Sequence, residues 1–416
     1  MELLREIWAT AKRNKLRTSL TGLAVAWGIF MLIVLLGAGN GVINALTQQN
    51  NRHLTRSVTA YAGHTSKPYH GLKEGRRITL NTADVHTTAT AFPDKIDDVT
   101  PELMRGRQTV SLGQEYVLPK VAGVAPSYSR IEKVEMLGGR FINDIDMRDR
   151  RKVAVVSNST AKELLPSGRN IIGRRVNIEG VSFLVVGVYK ADESSQDSYV
   201  YTPFSTYNAL YNKGDEVERI IFSFHGIDGV EDNDKFEDEY KRRIYGNHSV
   251  APDDNSAVWL WNRYKESLQM DKGMNIVRLS LWILGMLTLL SGVVGVSNIM
   301  LITVKERTHE FGIRKAIGAK PVSILKLIIV ESVAITSIFG YVGMMAGMLA
   351  NEWMDRTVGG QAVEFLGMKA ALFLDPTVGL GVCLKATLVM IAAGTVAGLI
   401  PAFKAARVRP IEALRG

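Results

Sequence analysis

Apolar and charged positions separate into long blocks along parts of this chain and alternate in others. No charged residue lies between Arg17 and Arg52, or between Arg278 and Lys305. Each gap exceeds the roughly 20 apolar residues that cross a bilayer as a helix. The pattern predicts four spans: residues 20–36, within an uncharged stretch that continues to Asn51; 279–304; 327–349, with the carboxylate Glu331 near its start; and 386–403, preceded by Lys385. The last two are rich in Gly, Ala and Ser, as closely packed membrane helices are. The i,i+4 pairs Gly37/Gly41, Gly343/Gly347 and Gly394/Gly398 predict helix–helix contact. Basic residues precede the first block, as in a signal peptide. Its apolar run is longer than a secretory h-region and three more spans follow, so it reads as a retained membrane helix.

The stretch between the first two blocks has shorter periods. Residues 153–156 (Val-Ala-Val-Val) read as a buried strand, followed by Asn158 as a helix cap and a helix ending near Pro166. Residues 174–178 and 181–188 read as strands joined through Glu179-Gly180, a hairpin signal. Residues 219–224 form another strand, and Phe236, Tyr240 and Ile244 recur at helical spacing. Strands alternating with helices suggest one or two small βαβ-like subdomains. After Trp259 and Trp261, a polar helical stretch over 262–278 is expected to run unbroken into the second span as a stalk. Leu3, Leu4, Ile7, Trp8 and Ala11 share one face near Lys12, Arg13 and Lys15, the pattern of a helix lying on a membrane surface.

The fold class predicted is therefore membrane α-helical, with four transmembrane helices and a large α/β extracytoplasmic domain inserted between helices 1 and 2. The expected boundaries are 1–17 for the N-terminal amphipathic helix, 18–50 for the first span and 51–274 for the outer domain with its stalk. The remaining segments are 275–304 for the second span, 305–326 for a short connection, 327–350 for the third, 351–385 outside, 386–403 for the fourth and 404–416 for the tail.

Composition agrees with a chain divided between lipid and water. The 416 residues are 46% hydrophobic and 22% charged, with a mean hydropathy of +0.06. A wholly soluble protein is excluded. The formal charge of +9 is concentrated in three segments. Residues 1–17, 305–326 and 404–416 hold fifteen Lys and Arg against five acids, so together they carry more than the whole net charge. By the positive-inside rule these segments, and both termini, face the cytoplasm. Topology thus accounts for the high pI, and no nucleic-acid partner is implied. The single cysteine, Cys383, cannot form an intramolecular disulfide and reads as a small packing residue.

Catalytic chemistry finds little support. There is no GxxxxGK[ST] phosphate loop. The glycines from Gly37 to Gly41 end a membrane block, not a strand. His309-Glu310 lacks the second His of a metalloprotease motif. Asp144, Asp146 and Asp149 lack calcium-loop spacing and read as a solvated turn. No metal and no resident cofactor are expected. Glu331 is the one intramembrane acid, and its nearness to Lys326 suggests snorkelling or pairing there. The connection after the second span, VKERTHEFGIRKAIGA, is too patterned for a plain loop. Glu306, Glu310 and Arg314 fall at i,i+4 spacing, with Phe311, Ile313 and Ile317 as apolar contacts. A short charged helix with an exposed apolar residue suits a cytoplasmic partner; a positive-inside loop is the alternative.

KERTHEFGIRKAIGAKPVSIL closely resembles the signature of the MacB/FtsX superfamily of ABC-transporter permeases. The tail PAFKAARVRPIEALRG is similar to the end of the same family. So are two stretches of the insert, GVAPSYSRIEKVEMLGGRFINDIDMRDRRKVAVVSNSTAKELL and IIGRRVNIEGVSFLVVGVYK, which resemble the MacB-type periplasmic core domain. The resemblance implies a multi-pass inner-membrane permease paired with a second copy or a paralogue. It implies that the 305–326 connection docks on a cytoplasmic ABC ATPase dimer. Glu306, Arg307, Glu310, Phe311, Gly312, Arg314, Lys315 and Gly318 are the implied ATPase-coupling residues. ATP and Mg would be bound by that ATPase, expected as a separate polypeptide because no ATPase segment precedes the first span here. The implied task is mechanotransmission: ATP-driven motion passed to the outer domain, driving efflux of a periplasmic peptide, toxin or drug. A periplasmic adaptor and a TolC-like outer-membrane channel are the further implied partners. Release of lipoproteins, or FtsX-like signalling to a cell-wall hydrolase, are alternatives within the same fold.

Overall fold

A computed structural model of the chain describes residues 15–51, 56–166, 170–191, 198–211, 214–359, 362–365, 368–371, 373–376 and 378–406. The expected N-terminal surface helix, most of the tail and the side chain of Cys383 lie outside the described residues. The chain divides into two compact units. One is the membrane unit, from the first helix and the C-terminal half; the other is an outer unit of residues 49–271 and 364–370.

Among the described residues, four helices are long and apolar enough to cross a bilayer. They are α1 (Lys15–Asn51), α8 (Arg263–Glu306), α10 (Pro321–Val358) and α11 (Leu380–Ala406). All four are longer than the apolar blocks that signalled them. In lipid every backbone group must bond within the helix, which favours continuation over fraying. Small residues set the packing. A Cβ on Gly343 would sit 2.3 Å from the Ala26 carbonyl oxygen, so α1 and α10 touch backbone to backbone there. Gly347 lies against Ile33, and Gly394 and Gly398 lie against Thr336 and Ser332. The pairs Gly343/Gly347 and Gly394/Gly398 are thus contact points of α10 with α1 and of α11 with α10; Gly37 lies against Asn351 of α10, whereas Gly41 meets Phe373, outside the helices. Two buried polar groups add cross-helix bonds: Ser332 Oγ donates to the Gly394 carbonyl at 2.9 Å and Asn351 Nδ2 to the Ile33 carbonyl at 3.0 Å. Val25, Ile29, Leu32, Ile33, Val296 and Ile328 form the apolar centre. Leu23, Leu279, Leu287, Leu349 and Leu388 point outward, as side chains meeting lipid do.

The outer unit is built on one mixed sheet of twelve strands. Its strands are β1 (Ser57–Ala62), β3 (Ile96–Arg107), β4 (Val110–Leu112), β5 (Glu115–Val117), β6 (Lys120–Val124), β7 (Met136–Gly139), β8 (Val153–Ser157), β9 (Arg175–Ile178), β10 (Val181–Tyr189), β11 (Tyr199–Pro203), β13 (Arg219–Phe224) and β14 (Val258–Asn262). The order is β14-β1-β13-β3-β6-β11-β8-β10-β9-β4-β5, with β7 beside β10. A separate short pair joins β2 (Leu80–Asn81) to β12 (Glu216–Val217). Among the described pairings of this sheet, only β6–β11 and β8–β10 run parallel. In place of one or two small βαβ-like subdomains the strands join into a single mixed ladder; tight turns link β4 to β5 and β9 to β10, while most antiparallel neighbours come from distant parts of the chain. The Glu179-Gly180 hairpin is present, both residues with positive φ (47° and 86°), the geometry of a two-residue hairpin turn.

The helices of this unit are α2 (Thr82–Ala91), α3 (Tyr128–Ile131), α4 (Asp144–Arg148), α5 (Asn158–Leu164), α6 (Phe204–Tyr211) and α7 (Val230–His248). On α7 the expected face of Phe236, Tyr240 and Ile244 is fully buried, against Phe92, Phe222 and Phe224. Two local readings change. The cap of α5 is Ser157, whose hydroxyl accepts from the Thr160 amide at 3.1 Å, because Asn158 is already helical. The stretch with Asp144, Asp146 and Asp149 is not a solvated turn throughout. Asn143 caps α4, and Asp146 is buried, accepting from the Asn143 amide and from Arg140.

Candidate functional site

The connection between the second and third spans folds as α9 (Thr308–Ala316). A single residue, Arg307 (φ −92°, ψ 10°), separates it from α8 and turns the chain. Thr308 Oγ1 donates to the carbonyl of Lys305 at 2.7 Å, occupying an otherwise orphaned group at the end of α8. The far end is closed by Gly318. Its φ of +99° is accessible to glycine at little cost. It lets the Gly318 amide bond the Lys315 carbonyl at 3.0 Å and the Ala319 amide bond Arg314 at 3.0 Å. Pro321 then starts α10, where its fixed φ and missing N–H cost nothing.

Charges hold α9 in place. Arg307 donates to both carboxylate oxygens of Glu310, Nε at 2.9 Å and Nη2 at 3.2 Å. Arg314 reaches the same carboxylate at 2.9 Å. The hydrogen bonds and charge of Arg307, supported by Arg314, hold the Glu310 carboxyl below the usual carboxylate range. Arg307 Nη1 also meets Glu331 at 3.5 Å, so the intramembrane acid pairs with this arginine, where Lys326 was the expected neighbour. Lys315 Nζ donates to the Ala406 carbonyl at 2.6 Å, tying α9 to the end of α11. Phe311 is 1% exposed, under the Arg307 guanidinium and among Val304, Ile324, Leu327 and Ala402.

The eight sequence-derived candidates therefore sort by position. Phe311 and Gly312 are buried in the membrane unit, not on its surface. Arg307, Glu310, Arg314 and Lys315 form the bonds that fix the helix. Glu306 and Gly318 are at the surface. The exposed side of α9 and its exit is instead His309, Ile313, Ala316 and Ile317, at i, i+4, i+7 and i+8, with Lys320 exposed beyond the Gly318 turn. Ile317 is 82% exposed, a large apolar side chain at the end of a fixed helix. The eight coupling candidates leave these residues out, although Ile313 and Ile317 are among the apolar contacts read from the sequence. Among the described residues no group of three or more His, Cys, Asp and Glu is placed to hold a metal.

A family model described as the MacB-like periplasmic core domain matches residues 18–240, and one described as the FtsX-like permease C-terminal matches residues 282–410. The macrolide export ATP-binding/permease protein MacB of Bdellovibrio bacteriovorus is 26% identical over 427 residues, covering 100% of this chain and 62% of the relative. MacB of Salmonella typhi is 24% identical, covering 99% of this chain and 60% of its own length. The pyoverdine export ATP-binding/permease protein PvdT of Pseudomonas putida is 26% identical, covering 100% and 59%. The chain thus spans about three fifths of the length of these relatives. Among solved structures, the periplasmic region of MacB from Actinobacillus actinomycetemcomitans covers 53% of this chain and 95% of its own, with 19% identity and a TM-score of 0.42.

Proposed function

Because this chain belongs to the MacB/FtsX family of ABC-transporter permeases, we propose that it passes ATP-driven motion from a cytoplasmic ATPase, through α9 and α8, to its outer unit. Family membership and four apolar helices make it a multi-pass inner-membrane permease. The reading goes further. Both termini and α9 lie in the cytoplasm, on the side of the basic segments. The ATPase docks on the exposed stripe around Ile317, and two permeases act as a pair. The cargo is a periplasmic substrate of the efflux class, passed to an adaptor and a TolC-like channel; export is also the task named for the relatives above.

The observation that carries this reading is the construction of α9. A helix of nine residues is too short to be stable alone. Here a buried aromatic, two arginines, a lysine and a glycine turn all hold it rigid, while an isoleucine and a histidine remain on the outer side. Such a helix resists being pushed without deforming, and so can convey a push to α8 and α10. Replacing Ile317 with glutamate tests it. The variant is expected to insert and melt as the wild type does but to lose co-purification of the ATPase and ATP-driven export. Full ATPase association and export by that variant would overturn the docking role.

A further inference from the structure

α8 begins where β14 ends, with no residue between Asn262 and Arg263. Around that point five consecutive side chains are each held by the outer unit, Asn262 and Lys265 by the same helix, α7. Asn262 is buried; its Nδ2 donates to Asn233 Oδ1 at 2.8 Å and Glu237 Oε1 at 2.9 Å on α7, and its Oδ1 accepts from the Lys265 amide at 3.0 Å. Arg263 Nη1 lies 2.8 Å from both oxygens of Glu132, just after α3, with both side chains largely buried. Tyr264 packs edge-on to Phe224 of β13 and carries Arg56 over its ring at 4.6 Å. Lys265 bonds Glu237 at 3.1 Å and also pairs with Asp234. Glu266 accepts from Trp261 Nε1 at 2.7 Å.

Successive residues of a helix project about 100° apart. Residues 263–266 therefore point around a full turn, and each direction is occupied by a bond. A helix anchored on one side can still roll about its axis; one anchored on every side within one turn cannot roll or tilt without breaking a tie. Several of these ties are between partly buried charges, where loss of one partner leaves the other uncompensated. Flexible tethering of an outer domain would need none of this.

We propose that residues 262–266 are a keyed joint, in which Asn262, Arg263 and Lys265 are positioning residues that fix the rotation of the first turns of α8, as far as Asp271, against the outer sheet. The inference rests on the reading that α8 carries motion, and says how that motion enters the outer unit: as rotation and tilt of a rigid body, not through a swivel.

The test uses the full chain with Cys383→Ser and spin labels at Leu137→Cys and Asp271→Cys, read by pulsed electron resonance with and without the ATPase and ATP. Position 137 is exposed on β7, and position 271 is exposed two turns beyond the joint. The expected result is one narrow distance distribution whose centre does not move when ATP is added. Arg263→Lys keeps the charge but loses the two-oxygen clamp, and should at least double the width at an unchanged melting temperature. Lys265→Gln is the second variant should the first fail to fold, with a smaller broadening expected. A broad wild-type distribution, a centre that shifts with ATP, or widths unaltered in both variants would overturn the joint. The measurement without ATPase does not depend on docking. Normal export by Ile317→Glu with a narrow distribution would therefore defeat the coupling reading and leave the joint standing.

Discussion

Two carboxylates in this molecule sit against arginine and respond in opposite directions. Glu102 on β3 bonds Arg219, its register partner on β13, at 2.8 Å, with its side chain 2% exposed. Glu310 on α9 is held by Arg307 and Arg314 with its side chain 42% exposed. Burial pushes the Glu102 carboxyl up to about 7 despite the arginine. The Glu310 carboxyl is held down. The difference is water. Inside the outer unit, desolvation outweighs one arginine's attraction; on the half-exposed α9 solvent still shares the charge, and two arginines need only add to it. The same two residue types make a desolvated buried contact in one unit and a half-exposed clamp in the other.

Removing the arginine from the buried pair should produce the largest effect. Arg219→Met leaves Glu102 without its partner in the interior, and breaking such a pair costs about 3–5 kcal/mol. The full chain in detergent, melted at pH 8 and followed by tryptophan fluorescence, should show that loss. At pH 5 the loss should shrink, because Glu102 can then be neutral. An equal loss at both pH values would break the comparison.

Next in size is the pH dependence of Glu102 itself. Its folded pKa is raised above the ordinary 4.5, so the folded state holds a proton that the unfolded state releases. Its contribution to stability is therefore greatest below about pH 4.5 and declines as pH rises to about 7, by roughly 3 kcal/mol in all. Glu102→Gln, which mimics the neutral acid, should remove that decline. Melting temperatures of the variant and wild type that fall in parallel from pH 5 to pH 8 would show that Glu102 is charged throughout.

The two units were also unequally legible in the sequence. Apolar blocks announce membrane helices because lipid excludes charge over the whole span, and the glycine pairs marked where those helices touch. In the outer unit, local signals held: the Glu179-Gly180 turn needs its two positive φ angles, and the α7 face follows the helical period. Strand order did not follow, since nothing local makes β13 lie between β1 and β3. The same limit hid the buried state of Asp146, set by Arg140 folding back on it, and the partner of Glu331, which is 24 positions away at Arg307. On α9 the charged residues drew attention as contacts, yet charge there mostly serves to hold the helix. Phe311, though in the middle of the motif, is core. The period that separates Phe311 from Ile313 and Ile317 was present in the sequence, and only the direction of the core was not.

The smallest expected effect, at Glu310, sharpens the comparison from its exposed side. Exposed ion pairs contribute about 0–1 kcal/mol each, because water competes for both partners. Glu310→Gln should therefore lower the melting temperature only slightly at pH 7. The sign with pH is opposite to that of Glu102. A carboxyl whose folded pKa is depressed contributes stability above its unfolded value and loses it as pH falls through the folded one. Wild type and Glu310→Gln should therefore differ slightly at pH 7 and converge below about pH 4.5, whereas wild type and Glu102→Gln differ in slope between pH 5 and pH 7. Two carboxylate-to-amide changes, each beside arginine, would thus titrate in separate windows with opposite signs. If Glu310→Gln instead cost several kcal/mol at pH 7, the clamp on α9 would be as water-excluded as the pair in the sheet, and α9 would be held by the pair itself more than by Phe311 beneath it.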